Sequence, residues 1–137
     1  MQIAVIDGQG GKIGKSLVEA LRKKGCSGEI VALGANAMAT AAMLKAGADR
    51  GATGENPVIV VSGRADIIVG PIGILAGNAL LGEITPAMAL AVSASPAHKV
   101  LVPVNQCGIT VAGSEGLSLT EAVDRAAALA VELCKKG

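Results

Sequence analysis

The sequence predicts a single α/β domain, residues 1–137, in which one parallel sheet carries helices on both faces. Three observations support this fold class. Short apolar runs alternate with segments of helical periodicity, a glycine-rich loop joins the first apolar run to the first helical segment, and 51% of the residues are hydrophobic. A chain of this length and composition can bury one core and is too short for two.

The first half of the chain is predicted to form two strand–helix units and a third strand. Residues 3–6 are continuously apolar, as in a fully buried strand, and the apolar spacing after the glycine loop predicts a helix that ends at 23–25. A second strand is expected at 29–33, a second helix at 37–46 and a third strand at 50–53. Strands that alternate with helices in this way are parallel, with right-handed crossovers.

The segment PVIVVSG at 57–63 has two interpretations. Its β-branched residues are typical of a strand, whereas its position favours a helix. Parallel strands at 50–53 and 66–70 need a crossover of about a dozen residues, and only 54–65 can supply it. We therefore predict a short helix that is capped near Glu55 and Asn56.

The second half is predicted to contain a fourth strand over ADIIVG, a helix, a fifth strand and an edge hairpin. Thr85 is suited to cap the helix and Pro86 to occupy its first position. Residues 98–104 read as the fifth strand. Residues 108–112 follow closely enough to form an antiparallel hairpin with it at the sheet edge.

The last helix and the strand order complete the predicted fold. A helix is expected after a cap at Ser118 or Thr120. The alternation of elements gives about five parallel strands in the order 3-2-1-4-5. This arrangement is Rossmann-like, and such sheets bind ligands at the carboxyl ends of their strands.

The loop GQGGKIG at 8–14 is the main functional signal. Gly8, Gly11 and Gly14 match the pattern GxxGxxG, and Gly8, Gly10 and Gly14 match GxGxxxG. Neither set has the strict GxGxxG spacing. Glycines at such spacings allow a tight turn, let a phosphate approach the backbone, and leave N–H groups at a helix N-terminus free to bind an anion. A diphosphate or a carboxylate is the expected ligand, although a strand-to-helix turn can also use glycine for structural reasons alone.

The sequence does not fit an ordinary NAD site. The acidic residue expected at the end of the second strand is replaced by Gly-Ala-Asn at 34–36, and no arginine follows that would favour NADP. Asp7 would repel a pyrophosphate unless loop N–H groups or a cation occupy its carboxylate. We expect an Asx-type bond from Asp7 into Gln9 and Gly10. The cofactor is left open among NAD, NADP and another phosphate-bearing nucleotide.

Polar side chains collect at the predicted carboxyl edge of the sheet. Most are amides, which recognise donor and acceptor patterns well and do not titrate, so they favour binding over acid–base catalysis. Glu55 and Glu83 are crevice-side acids that suit either a general base or a helix-capping role. No catalytic residue is assigned. The predicted ligand-binding residues are Asp7, Gly8, Gln9, Gly10, Gly11, Lys12, Ile13, Gly14, Asn36, Thr53, Gly70, Pro71, Asn78 and Asn105.

Composition argues against several classes of function. The absence of Phe, Tyr and Trp removes aromatic stacking on a base, and a net charge of +1 gives no basic field, so nucleic acid is not expected as a partner. Three widely spaced cysteines and one histidine fit neither a disulfide framework nor a zinc site, which predicts a reduced cytoplasmic protein without a metal. Cys107 has no histidine on its side of the sheet to activate it, and its role is left open.

The charge-free stretch between Asp66 and Glu83 is shorter than the roughly 20 residues of a membrane-spanning helix.

Four blocks carry a resemblance to a known family: VIDGQGGKIGK, GANAMATAAMLKAGADRGATGEN, ADIIVGPIGI and LGEITPAMA. Over nearly the whole chain they resemble a family of short bacterial proteins known only as a domain of unknown function. The resemblance implies a Rossmann-like fold and brings no catalytic residues. The opening also resembles the GxxGxxG start of the extended short-chain dehydrogenases, whose Tyr-based catalytic centre is impossible here because the chain has no Tyr.

Two functions stand as hypotheses. The first is a nucleotide- or dinucleotide-binding protein that holds phosphate on the glycine loop, with an oxidoreductase-like subunit as one form of it. The second is a non-enzymatic sensor or scaffold that binds a small anionic metabolite in the same crevice. The shortage of titratable groups there favours the second. The expected partner in either case is a small ligand that bears a phosphate or a carboxylate.

We also predict a homodimer. The fourth strand needs only about five or six residues, so the apolar stretch that follows must pack elsewhere. On a monomer it would expose a patch that soluble monomers seldom tolerate. The residues of this patch are Ile72, Ile74, Leu75, Leu80, Leu81 and Ile84. We expect an isologous two-fold contact through residues 72–92, and a lid folded back over the sheet is the alternative.

Overall fold

The chain folds around one sheet of five parallel strands. The computed structural model describes residues 1–104 and 108–136. The strands are β1 (Gln2–Asp7), β2 (Glu29–Gly34), β3 (Arg50–Thr53), β4 (Ile67–Pro71) and β5 (His98–Val102), and the helices are α1 (Lys12–Lys23), α2 (Ala37–Ala46), α3 (Glu55–Ser62), α4 (Pro86–Ala94) and α5 (Leu119–Lys136). The strands lie in the order β3-β2-β1-β4-β5, which confirms the predicted order.

The ambiguous segment at 57–63 lies largely within α3, so the crossover argument for a helix is confirmed. The cap of α4 is also confirmed, because the Thr85 side chain accepts a hydrogen bond from the Met88 N–H. Of the two candidates for the cap of α5, the residue used is Ser118. Its hydroxyl accepts from the Glu121 N–H at 3.1 Å, and its own N–H donates to the Glu121 carboxylate at 3.3 Å, which is a capping box.

The described residues show no edge strand at 108–112, where Ile109 is an isolated bridge residue. The strand β5 ends at Val102, two residues earlier than predicted, and residues 108–112 add no strand to the sheet. Pro103 follows β5 and has no backbone N–H with which to continue a ladder. Gly108 has a φ of 71°, a left-handed conformation that turns the chain instead of extending it. The expected turn at 105–107 lies outside the described residues.

Both faces of the sheet are covered, because the side chains of each strand alternate between two cores. In β1, Ile3 and Val5 pack in a core with α1, α2 and α5. The intervening Ala4 and Ile6 pack in a second core with α3 and α4. The loops at the carboxyl edge of such a sheet are the usual position of a ligand.

The apolar stretch after β4 folds back over the sheet, so the large exposed patch on which the dimer prediction rested is not present. Ile74, Leu80 and Ile84 are 0%, 7% and 1% exposed. A short 3-10 turn at Ile72–Leu75 starts this return, and the second hydrophobic core absorbs most of the side chains. Leu81 is the exception at 96% exposed. In the ranges that the structure describes, no helix is long and apolar enough to cross a membrane.

Candidate functional site

A cleft of about 340 Å³ lies at the carboxyl edge of the sheet. Its walls are the loop from Asp7 to Ile13, Leu80 from the segment after β4, and Leu119 at the start of α5. The strand β1 has β2 on one side and β4 on the other, so the direction of strand addition reverses beside β1. The cleft is therefore at the switch point where parallel α/β sheets bind ligands.

Asp7 ends β1 with its side chain buried, at 4% exposure. Its carboxylate accepts hydrogen bonds from the backbone N–H groups of Gly8 at 2.8 Å and Gly14 at 2.7 Å. The expected bonds to Gln9 and Gly10 are not formed. The carboxylate bonds Gly14 instead, because Gly14 lies in the first turn of α1, where N–H groups lack intrahelical partners and the helix dipole favours a carboxylate. Asp7 thus ties α1 to the end of β1.

The pKa of Asp7 is raised above its ordinary 3.8, chiefly because burial removes water from the carboxylate. The N–H donors of Gly14 and Gly8 oppose this rise, and the negative charge of Glu83 adds to it. Both oxygens of Asp7 are engaged by the backbone. The Gly14 N–H is consequently already occupied by a carboxylate of the same chain.

Gly8 and Gly14 are required by packing within the chain. A Cβ on Gly8 would lie 2.7 Å from Glu83 Oε1 and 2.8 Å from Leu80 Cδ1. A Cβ on Gly14 would lie 2.5 Å from Met43 Sδ, because α2 packs closely on α1 there. Real Cβ atoms do not approach other heavy atoms this closely, so any larger residue would displace its neighbours.

Gly10 and Gly11 are adjacent but differ in what they need. Gly11 precedes α1 with a φ of 72°, and a Cβ there would lie 2.8 Å from the Ala39 Cα. Gly10 is exposed, has no left-handed φ, and has no heavy atom within 4 Å of the position of a Cβ. The backbone N–H groups of Gly10 and Lys12 have no hydrogen-bond partner among the described residues. Packing and backbone conformation therefore do not require glycine at position 10.

Glu83 joins three loops at the β2 side of the glycine loop. Its Oε1 accepts from the Gln9 N–H at 2.5 Å, and its Oε2 accepts from the Asn36 side-chain amide at 2.7 Å. The same Asn36 amide donates to the Gln9 carbonyl at 2.8 Å, while the Asn36 Oδ1 accepts from the Ala39 N–H as the cap of α2. We call this set of Gln9, Asn36 and Glu83 the Glu83 bridge. It connects the end of β2, the glycine loop and the segment before α4.

The remaining predicted site residues do not line the cleft. Thr53 pairs with the Thr40 hydroxyl at 2.8 Å beside α2. Gly70 and Pro71 are buried in β4, where a side chain on Gly70 would strike the Ile6 carbonyl. Asn78 is exposed in the segment before α4, with a φ of 68°.

Asn105 lies outside the described residues, as does Cys107. Glu55 accepts a hydrogen bond of 2.5 Å from the Thr85 hydroxyl, so it joins the starts of α3 and α4. That contact is structural and lies away from the residues that line the cleft.

Leu80 and Leu119 are cleft residues that the sequence reasoning did not select. The capping box at the start of α5 could have placed Leu119 at the carboxyl edge, since a helix that follows a parallel strand begins there. Leu80 gave no comparable signal, because its position depends on how the segment after β4 folds back. Within the described parts of the chain, no group of three or more His, Cys, Asp or Glu side chains is arranged to hold a metal ion.

The fold and the cleft define a Rossmann-like α/β protein with a glycine loop at the switch point of its sheet. The chain belongs to the family described as a domain of unknown function (DUF3842), whose model matches residues 2–135, and this confirms the resemblance of the four sequence blocks. A search of curated proteins gave no match. Among solved structures, the chain is similar to a dodecameric FMN-dependent UbiX-like decarboxylase from Escherichia coli O157:H7, with 16% identity, a TM-score of 0.48, and coverage of 98% of this chain and 94% of that chain. This distant likeness carries no argument about function.

Proposed function

We propose that this protein binds a nucleotide by its phosphate, in the cleft beside Gly10. The observation that carries the proposal is the contrast among the loop glycines. Gly8, Gly11 and Gly14 are explained by the packing of the chain itself, whereas Gly10 is not. Gly10 has open space above it, and its N–H has no partner among the described residues. At the switch point of a parallel sheet, such a glycine suits the close approach of a phosphate.

Lys12 strengthens the proposal. It occupies the first position of α1 and its side chain is exposed. Its N–H lies at the positive end of the helix and has no partner in the part of the chain that the structure describes. Two N–H donors and one ammonium group can meet a phosphate from one side. The apolar side chains of Leu80 and Leu119 form the opposite wall, against which the rest of the ligand would pack.

A binding role without catalysis is the second candidate, and the lining of the cleft favours it. The titratable side chains in that lining are Asp7 and Lys12. Asp7 has both oxygens bonded to backbone N–H groups, so it is poorly placed to take a proton from a substrate. A sensor or scaffold for a small anionic metabolite would use the same N–H groups and ammonium.

A charge test at Gly10 separates these roles from a purely structural loop. Gly10→Asp and Gly10→Asn add side chains of nearly equal size, and only the first adds a negative charge. Thermal melts with NAD(H), NADP(H), ATP and acyl-CoA at millimolar concentration should show a ligand that raises the melting temperature of the wild type. We expect Gly10→Asp to bind that ligand at least about tenfold more weakly than Gly10→Asn.

The outcomes distinguish nucleotide binding, metabolite binding and a purely structural loop. If no nucleotide raises the melting temperature, nucleotide binding is contradicted. If small anions such as inorganic phosphate or citrate raise it while nucleotides do not, and Gly10→Asp alone removes the effect, the metabolite-binding role is supported. Equal binding by Gly10→Asp and Gly10→Asn would show that no anionic group lies near this loop.

A further inference from the structure

We propose that Cys26 and Cys134 form a reversible disulfide, which links the end of α5 to the end of α1 when a low-molecular-weight disulfide is in excess. The two residues lie at the amino edge of the sheet, where α1 has ended, β2 has not yet begun and α5 ends. The candidate ligand cleft is at the opposite edge. The proposed modification site is therefore independent of the proposed function.

Two packed helices bring these cysteines together. Cys26 follows the end of α1, and its backbone N–H donates to the Leu21 carbonyl at 3.0 Å. Cys134 lies in the last turn of α5, which packs beside α1 in the first hydrophobic core. The thiols of Cys26 and Cys134 are free, and they form a hydrogen bond with each other. Because the sulfurs already meet, a disulfide can form by rotation of the two side chains.

The two thiols differ in their access to an oxidant. Cys26 is 7% exposed and is surrounded by the apolar side chains of the core, whereas Cys134 is half-buried, so a small reagent reaches Cys134 first. The pKa of Cys134 is raised above its ordinary value, chiefly by burial and then by the neighbouring Cys26 thiol. The amino terminus of Met1 lowers this pKa and the Asp66 carboxylate raises it. Since the thiolate is the nucleophile, the reaction should be slow at neutral pH and faster as pH rises.

The exchange takes two steps when the oxidant is oxidised glutathione. Cys134 loses its proton to solvent, and its thiolate attacks one glutathione sulfur. The glutathione disulfide breaks, a mixed disulfide forms, and one glutathione thiolate leaves. Cys26 then loses its proton and attacks the Cys134 sulfur, which forms the internal disulfide and releases the second glutathione thiolate. Each protein thiol thus loses one proton and one electron, and one oxidised glutathione becomes two reduced molecules.

The bond would join residues that are far apart along the chain. A disulfide that closes most of a chain into a ring removes more conformational entropy from the unfolded state than one that closes a short loop. We expect it to raise the melting temperature by about 5–15 °C. In a reducing compartment such bonds are transient and report the redox state, so this pair would act as a redox-sensitive link between the two helices.

The test uses the whole chain with Cys107→Ser, so that Cys26 and Cys134 are the two remaining cysteines. The protein is incubated with excess oxidised glutathione at mildly alkaline pH, then examined by intact mass spectrometry and by peptide mapping without reductant. We expect the loss of two hydrogen atoms, a peptide pair linked through Cys26 and Cys134, and the rise in melting temperature. Dithiothreitol should reverse all three. The same mapping of the wild type keeps the test valid if Cys107→Ser does not fold.

Single substitutions in this background separate the two steps. Cys26→Ala should stop at the mixed disulfide of Cys134 with glutathione, and Cys134→Ala should stay unmodified while it is folded. The proposal is overturned if the Cys107→Ser protein stays at the mixed disulfide, links two chains or keeps both thiols. An internal disulfide that leaves the melting temperature unchanged would also overturn it, since the bond would then not hold the helices together.

Discussion

The change Gly11→Ala tests whether the glycine loop is built by packing, and its cost can be worked out from the structure. Gly11 is buried, precedes α1 and has a φ of 72°. An added Cβ would lie 2.8 Å from the Ala39 Cα and 3.1 Å from the Ala39 carbonyl oxygen. These are backbone atoms of α2, so they cannot move aside by a rotamer change. The two helices would have to separate.

Two effects add at this position. A left-handed conformation costs a residue with a Cβ about 1–2 kcal/mol. Overpacking against a fixed neighbour costs about 1–3 kcal/mol more, so we expect a loss of about 2–5 kcal/mol in the free energy of unfolding. With an unfolding entropy of about 2.1 cal/mol/K per residue over 137 residues, this loss lowers the melting temperature by about 7–17 °C.

Gly10→Ala is the matched control, because its Cβ would enter open space and its backbone is not left-handed. It should stay within about 0.5 kcal/mol of the wild type, or about 2 °C. Circular dichroism melts and urea titrations of the three proteins measure both quantities. Equal shifts for the two variants would refute the packing argument. A charged side chain at Gly11 would destabilise the protein through the same contact with Ala39, so a loss of binding there could not be assigned to its charge. Anion binding is therefore tested at Gly10.

Two further predictions concern Asp7 and the oligomeric state. Because burial raises the pKa of Asp7 above 3.8, its contribution to stability is fully present below pH 3.8 and is lost as pH rises through the raised value. Urea titrations from pH 3 to 8 should show the wild type losing stability relative to Asp7→Asn as pH rises. A wild type that gains stability relative to Asp7→Asn over this range would contradict the prediction. For assembly, the homodimer through residues 72–92 stays a prediction although most of its apolar patch is buried, and it now depends on Leu81, which is 96% exposed. Light scattering should give twice the 13.4 kDa chain mass, and Leu81→Glu should halve it while the far-UV circular dichroism spectrum stays that of the wild type. A monomeric wild type would rule the dimer out.

Most of the fold could be predicted because its determinants are local. Apolar periodicity identified the strands and helices, and the length of the crossover decided that 54–65 must contain a helix. The end of β5 could not be placed by periodicity, since Val104 continues the apolar pattern while Pro103 cannot continue the ladder. The cytoplasmic location inferred from the cysteines stays a prediction.

The candidate site was less predictable because its contacts join residues that are distant along the chain. The glycine spacing located the loop, but it could not separate glycines that serve packing from one that is open to a ligand. That distinction depends on Ala39 and Met43 of α2, and on Glu83, which is 74 residues beyond its partner Gln9. The apolar stretch was predicted to pair two chains, and its return over the sheet was only the alternative, because no local pattern encodes which of the two buries it.

The acidic side chains at the loop explain how it holds its shape without a ligand, and they limit how tightly it can hold one. Asp7 and Glu83 bond the N–H groups of Gly8, Gly14 and Gln9, so the loop is ordered by its own chain. Of the donors in the described lining of the cleft, a phosphate is left with the N–H groups of Gly10 and Lys12 and the Lys12 ammonium. Hydrogen bonds to a charged group contribute about 1.5–3 kcal/mol each, so two N–H bonds supply about 3–6 kcal/mol before the costs of association. That range corresponds to dissociation constants from about 6 mM to about 0.04 mM, and the costs of association weaken binding further. Micromolar affinity therefore requires burial of the ligand body against the two leucines of the cleft.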